Sequence, residues 1–445
     1  MRFPARPIVL AVFSLLFSRD LKAGEEDAYI ASYAPIVPYT GPSEAGVDTS
    51  TLDLKVMCGY QGWFTTPTDG ARRKWQHYAG KTGKFEPGSA AIEIWPDVSE
   101  LAPEERFATP FLDPQGKPFE VYSAHRADTV ARHFKWMKDY GIDGVFVQRF
   151  ATMAEMGRSN YDELRHANQV LVNCRAGANQ HGRAYALMYD LTGVRDEHVE
   201  RLMRDWKELR TRMKLGIDPA DKAYLHHNGK PVVGIWGIGF DADNHRLSLA
   251  AQEKFMLFIK QNPEWGGCSL VIGTPTHWRK QEDDSLKDPR LHEVLKHADI
   301  LSPWTVGRYR DLKELERHGR LLWRPDQVWC EENHLGYMPV VFPGFSWKNL
   351  AQLNPAAAKR AEAQIPRLGG KFLWKQFMEA KSCRARMIYV AMFDEMDEGT
   401  AIFKCTNTPP AHDPPFLTME GLASDTYLWL TGQGAKLLRE DMPVR

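Results

Sequence analysis

Eight apolar runs recur along the chain, and amphipathic stretches at helical spacing lie between most of them. The runs are LKVMCGYQGWF (Leu54–Phe64), GVFVQRF (Gly144–Phe150), RAYALMYD (Arg183–Asp190), KPVVGIWGI (Lys230–Ile238), CSLVIGT (Cys268–Thr274), DILSPW (Asp299–Trp304), YMPVVFPGF (Tyr337–Phe345) and RMIYVAMFDE (Arg386–Glu395). Runs that are apolar throughout read as strands covered on both faces, which is the condition of a parallel sheet. The stretch before the second run carries Val130, Phe134 and Met137 at helical spacing. Further helices are expected at Asn160–Ala176, Asp196–Lys214, Leu247–Gln261, Leu291–Ala298 and Ala358–Ala380, the last with Pro366 as an interruption. Strand–helix alternation of this kind implies an α/β fold, and eight strands close a (β/α)8 TIM-like barrel. An open doubly wound sheet is the rival, but no Gly-rich phosphate fingerprint follows the first run. Residues 47–445 therefore read as a single barrel domain that includes a C-terminal packing helix, TYLWLTGQGAKLLRE.

The N-terminus reads differently. Arg2 and Arg6 precede an apolar run, Ile8–Phe17, that Ser18, Arg19 and Asp20 end. Residues 1–23 are thus expected to be a signal peptide cleaved after Ala23, with a retained anchor as the alternative. The run is short for a bilayer span, so secretion or periplasmic export without stable membrane insertion is the expectation. A Pro/Ser/Gly-rich stretch, residues 24–46, reads as an extended arm. Lys+Arg and Asp+Glu balance at 57 each, which removes the electrostatic case for nucleic acid. The six cysteines are scattered; Cys383 and Cys405, flanking the last run, are candidates for a bridge, and Cys58 and Cys268 read as buried thiols. His226 and His227 are adjacent, without a CxxC or HExxH pattern anywhere, so a metal is not expected.

In a barrel of this class function collects where strands end and the following loops begin. The strand ends here offer Tyr60 and Trp63, Gln148 and Arg149, Tyr189 and Asp190, Trp236, His277 and Trp278, Trp304 with Arg308 and Tyr309, and Phe345 with Trp347. Aromatic faces and polar edges suit sugar rings, which points to an oligo- or polysaccharide substrate; for any one of these residues, packing is the plainer reading. Arg72–Lys74 reads as a solvated loop or as a contact for an acidic sugar. The densest feature is FDEMDEGT, where Asp394, Glu395, Asp397 and Glu398 place four carboxylates within five residues at the end of the last apolar run. Such clustering marks a solvated loop, a cation site, or a place where pKa values are pushed apart for catalysis. Glu395 and Glu398, three apart, are the candidate acid/base pair that glycoside cleavage requires.

The segment DEMDEGT resembles the N-E-W-H-E-G-T motif of glycoside hydrolase family 99, the endo-acting α-mannosidases and α-mannanases. YSAHRADTVARHFKWMKDYGIDGVFVQRF is similar to that family's Y-S-S-x-D-P-x-V-I-x-x-H-x-x-W-M-K-x-x-G-I-D-G-V pattern, with His133, Trp136, Met137, Lys138 and Gly141–Val145 agreeing. The HNGKPVVGIW run is similar to another of its strands, so the likeness extends from Tyr122 to Thr400. The resemblance implies a (β/α)8 barrel and an endo-acting, retaining glycosidase for an α-linked glycan. It casts Glu395 as the base at the sugar 2-hydroxyl, which displaces the leaving group through a 1,2-anhydro sugar, and Glu398 as the general acid/base; no cofactor is implied. Asp394, Met396 and Asp397 depart from the motif's Asn, Trp and His, making the turn more acidic and removing an aromatic wall. Family 71, the α-1,3-glucanases, is a neighbour of the same architecture. The competing readings are a non-catalytic glycan-binding barrel and a polysaccharide lyase, for which Arg149 or Arg308 would neutralise a uronate.

Overall fold

The computed structural model describes residues 24–79, 83–154, 161–352 and 364–440. Within them the apolar runs form a ring of parallel strands: β1 (Val56–Tyr60), β2 (Gly144–Phe150), β3 (Ala184–Asp190), β4 (Lys230–Trp236), β5 (Ser269–Thr274), β6 (Ile300–Pro303), a divided β7 (Gly336–Tyr337 and Val340–Val341) and β8 (Ile388–Val390). The ring closes through β7. Its first piece pairs with β6 and its second with β8, on either side of Pro339, which has no N–H to give a ladder. β1 lies between β2 and β8, Cys58 standing opposite both Val145 and Val390. A two-residue antiparallel ladder, His226–His227, adds to the start of β4.

Helices α1 (Ala127–Tyr140), α2 (Asp162–His181), α3 (Val199–Glu208), α4 (Leu249–Gln261), α5 (Leu291–Leu295), α6 (Leu312–His318), α7 (Lys371–Ser382) and α8 (Thr426–Leu438) each follow the strand of the same number. α6 continues through a widened turn, Gly319–Trp323, into Arg324–Glu332. No helix is expected there from the sequence, and Gly319 and Pro325 are of the residue types that usually break one. Pro325 instead sits directly after the widened turn, in the first turn of the segment that follows it. Between β1 and α1 the chain makes a long excursion that carries a hairpin, Phe107–Leu112 with Pro118–Val121, also absent from the sequence reading.

The barrel interior follows the period of two along each strand. Tyr389 of β8 is an interior residue: Gln148 donates to its hydroxyl at 2.9 Å and the Phe146 ring lies 5.9 Å away. A side chain on Gly59 would stand 2.1 Å from that hydroxyl, and one on Gly273 would stand 2.3 Å from the Trp236 ring. Glycines on the interior of β1 and β5 thus make room for the large residues opposite, the small-against-large filling of a closed barrel.

Three expectations are corrected here. Residues 24–31 form a helix rather than an extended arm, and Tyr29 and Tyr33 are wholly buried against the barrel. Cys383 and Cys405 are free, as are all six cysteines, and each is buried in its own surroundings, Cys383 capping α7 and Cys405 bridged through its backbone to Pro96. The last strand ends at Val390, so Asp394–Thr400 belongs to the loop beyond it. The expected signal peptide, residues 1–23, lies outside the described residues. Among the described residues no helix is long and apolar enough to cross a membrane.

Candidate active site

The loop after β8 is a tight closed turn. Phe393 donates its amide to Gly59 O at 2.7 Å, Thr400 and Ala401 donate to Glu395 O at 3.1 and 3.0 Å, and Phe403 donates back to Phe393 O at 3.0 Å. Gly399 turns the chain in the left-handed region (φ 64°), which suits a residue without a side chain. This frame sends neighbouring carboxylates to different partners.

Asp394 has no exposure at all, and its two oxygens accept the Gln61 and Gly62 amides at 2.7 and 2.8 Å. It ties the exit of β8 to the exit of β1, a structural role rather than the substrate contact expected of it. Burial pushes its carboxyl up to about 7, against the pull of those two amides. Glu395 accepts Gln61 Nε2 on Oε1 at 3.0 Å and Thr400 Oγ1 on Oε2 at 2.9 Å. Burial and then repulsion from Glu398, Asp397 and Asp394 raise its pKa well above the usual carboxylate range, while the Thr400 bond pulls it down. Among the described residues no cation pairs with it. Glu398 is half-buried, and its main-chain oxygen accepts the Ser346 amide at 2.9 Å. Asp397 is buried with Oδ2 2.9 Å from His77 Nδ1, and the His77 ring lies flat on Trp63, centroids 3.9 Å apart at 2°.

The remaining candidates divide by parity. Gln148, Asp190, Trp236 and Trp304 occupy the barrel mouth. Asp190 accepts the Thr192 amide at 2.8 Å, and burial pushes its carboxyl up to about 6. Trp236 and Trp304 are half-buried and meet edge to face at 5.5 Å, with Phe240 and His245 behind Trp236. Trp63 also belongs to the mouth, 5.5 Å from Phe150. Trp347 is half-buried beside Phe345 on the loop that carries Ser346. His277 sits on the rim, paired with Asp284 at 3.2 Å, whose other oxygen holds Arg308 at 2.7 Å; the Asp284 bond raises the His277 pKa.

Five expected contacts lie elsewhere. Tyr60 faces outward to α1 and bonds His133 Nδ1 at 2.8 Å. Arg149 faces α3, where it grips Asp205 through two bonds, of 2.7 and 2.6 Å. Tyr189, also outward, donates to the same Asp205 at 2.7 Å. Trp278 is wholly buried against Trp329, and Tyr309 is core, its hydroxyl donating to Gln376 at 2.7 Å. Residues that the sequence reading missed are Gln61, Thr400, His77 and Glu93. Gln61 was within reach of the parity rule, being the next inward position after Gly59. Glu93 binds the turn at Ser346–Leu350 through Ser346 Oγ at 2.7 Å and the Asn349 amide at 2.6 Å. His77 and Glu93 belong to the irregular excursion after β1, where no periodicity marks them.

No protein-family model matches the chain, and no curated protein matches it either. Solved structures do. The endo-α-mannosidase of glycoside hydrolase family 99 from Bacteroides thetaiotaomicron, in complex with bis-tris-propane, aligns over 88% of this chain and 98% of its own, with TM-score 0.59 and 16% identity. A second structure of that enzyme aligns over 88% and 99% with TM-score 0.57 and 16% identity. A glycoside hydrolase-like protein aligns over 95% and 99% with TM-score 0.51 and 14% identity. The chain therefore has the barrel fold of the family 99 endo-α-mannosidase, as its sequence motifs imply.

Proposed function

We propose that this fold serves as an exported glycoside hydrolase, endo-acting and retaining on an α-linked glycan, with Glu395 as base at the sugar 2-hydroxyl and Glu398 as general acid/base. The observation that carries the reading is Glu395 itself. It stands just beyond β8, at the C-terminal mouth where sites of this architecture lie. Each of its oxygens is held by a neutral donor, and burial and a neighbouring carboxylate heighten its affinity for a proton. An ordinary carboxylate is a feeble base toward a sugar hydroxyl, so raised proton affinity is the adjustment this role needs.

The reaction then runs in two displacements. Glu395 takes the proton of the 2-hydroxyl as that oxygen attacks the anomeric carbon, and Glu398 gives a proton to the departing glycosidic oxygen. The resulting 1,2-anhydro sugar is opened at the anomeric carbon by water, whose proton returns to Glu398 while O2 recovers its proton from Glu395. Two inversions leave the anomeric configuration retained. No metal or organic cofactor takes part. The similarity in fold to a family 99 endo-α-mannosidase supports an α-linked, mannan-like substrate. The lyase reading loses its cations, since Arg149 is spent on Asp205 and Arg308 on Asp284. A barrel used only for binding has no need to hold Glu395 against the repulsion of Glu398. Residues 1–23 are proposed to direct export to the periplasm or medium, which N-terminal sequencing of the mature protein checks.

The test is hydrolysis of α-mannans, α-glucans and N-glycans by the native protein beside Glu395→Gln and Glu398→Gln. The native protein should release fragments, and each variant should lose about 10²–10⁴ in rate, the usual worth of a general acid or base. Tight binding without cleavage by any of the three would sink the reading.

A further inference from the structure

A cavity of about 160 Å³ opens beside Glu395, between the exits of β1 and β2 and the first half of α2. Trp63, His77, Gln148, Phe150, Arg73 and Glu163 are among the residues that line it, and Gln61 forms the side toward Glu395. Apolar faces come from Trp63 and Phe150. The Arg73 guanidinium is met by the Glu163 carboxylate, Nη2 to Oε1 at 3.4 Å, and Asp397 Oδ2 accepts from His77 Nδ1 at 2.9 Å. Aromatic walls with the Glu163 and Asp397 carboxylates beside them suit an uncharged sugar better than a uronate.

His77 is unusually constrained within this wall. Its backbone is left-handed (φ 60°), uncommon for a residue with a side chain, and its ring is stacked on Trp63. A carboxylate acceptor at Nδ1 draws the imidazole hydrogen there, so the neutral ring keeps Nε2 as an acceptor. Among the described residues Nε2 has no hydrogen-bond partner. Buried Trp63 Nε1, Gln61 Oε1 and Asp397 Oδ1 also lack one among the described residues. Polar atoms buried without partners carry a cost unless water or a ligand satisfies them.

We propose that His77, oriented by Asp397 and Trp63, is a specificity-determining residue that accepts a hydroxyl of a neutral hexopyranose ring seated in this cavity. Asp397 is then a positioning residue that acts through His77. The inference rests on the glycoside hydrolase reading of Glu395 and Glu398, and adds the contact that selects an uncharged sugar.

Imidazole ¹H–¹⁵N NMR of the native protein, titrated with methyl α-D-mannopyranoside, methyl α-D-glucopyranoside and D-glucuronate, tests it. The His77 Nε2 resonance should move with a neutral glycoside and stay put with glucuronate. His77→Phe, which keeps the stack on Trp63, should bind that glycoside about tenfold more weakly, and in hydrolysis should raise KM more than it lowers kcat. His77→Gln, which restores an acceptor, should recover part of the loss. An Nε2 resonance that moves with no neutral glycoside overturns the proposal, whether or not the variants fold, as does undiminished binding by a folded His77→Phe. Binding at His77 without any hydrolysis by the native protein would remove the proposed function and leave this contact standing. Hydrolysis that depends on Glu395 and Glu398 but is indifferent to His77→Phe would do the reverse.

Discussion

Replacing Arg149 by leucine probes the structure where it departs most from a cleft contact. Arg149 is 2% exposed and Asp205 has no exposure; two guanidinium bonds, of 2.7 and 2.6 Å, join them. The hydroxyls of Tyr189 and Tyr33 donate to the same carboxylate, so β2, β3, α3 and the segment after the N-terminal helix meet on one charge. The variant would strand that carboxylate in the packed layer between barrel and helix, with two phenols and no cation. Breaking a buried pair from one side costs about 3–5 kcal/mol, because the desolvation of the remaining ion is no longer offset. At about 2.1 cal/mol/K per residue, a folded chain of roughly 400 residues has an unfolding entropy near 0.8 kcal/mol/K, so Tm should fall by about 4–6 °C. Calorimetry of the native protein, Arg149→Leu, Asp205→Leu and the double variant measures this. Each single variant should lose about that much, and the double should lose clearly less than their sum, since it leaves neither ion unpaired. Glycan binding well below Tm should be unchanged in Arg149→Leu. Unaltered melting together with lost glycan binding would put the guanidinium in the cleft and refute the assignment.

The same physical reasoning gives two further expectations. Burial pushes the Glu93 carboxyl up to about 7 although Ser346, Asn349 and Leu350 donate to it. A raised folded-state pKa means that this group's stabilising contribution is full below about 4.5 and is lost as pH climbs through about 7, on the order of 3 kcal/mol by linkage. Melting measured from pH 5 to 8 should therefore fall less steeply in Glu93→Gln, whose amide can accept the two backbone N–H groups and donate to Ser346; equal slopes would contradict the account. Gly59→Ala would bring a methyl to 2.1 Å from the Tyr389 hydroxyl and the Met392 end, so urea unfolding should show about 1–3 kcal/mol of destabilisation from overpacking. A variant as stable as the native protein would mean that the barrel interior has slack there.

The barrel was legible because a strand covered on both faces needs apolar residues at every position, and that pattern survives in the sequence whatever packs against it. Site membership was harder to read, because at a strand end neighbouring side chains point to opposite faces. Gln148 and Asp190 point inward while Arg149 and Tyr189 point to the helices, so listing each pair together mixed a cleft residue with a packing residue. Applying the same period from interior Gly59 would have rejected Tyr60 and selected Gln61, which donates to Glu395. Beyond the strand ends that rule has no purchase: Trp278 and Tyr309 look like rim aromatics in sequence and are core, their rings packed against Trp329 and Phe372 of the surrounding helices. The acidic turn shows the same limit most fully. Adjacent carboxylates there meet backbone amides at Asp394, Gln61 and Thr400 at Glu395, and His77 at Asp397, while Glu398 stays half-open. Their spacing alone is common to all of these environments. What separates them is the closed turn from Phe393 to Phe403 together with a histidine more than three hundred positions earlier in the chain, and long-range pairings of that kind leave no periodic trace for a single sequence to carry.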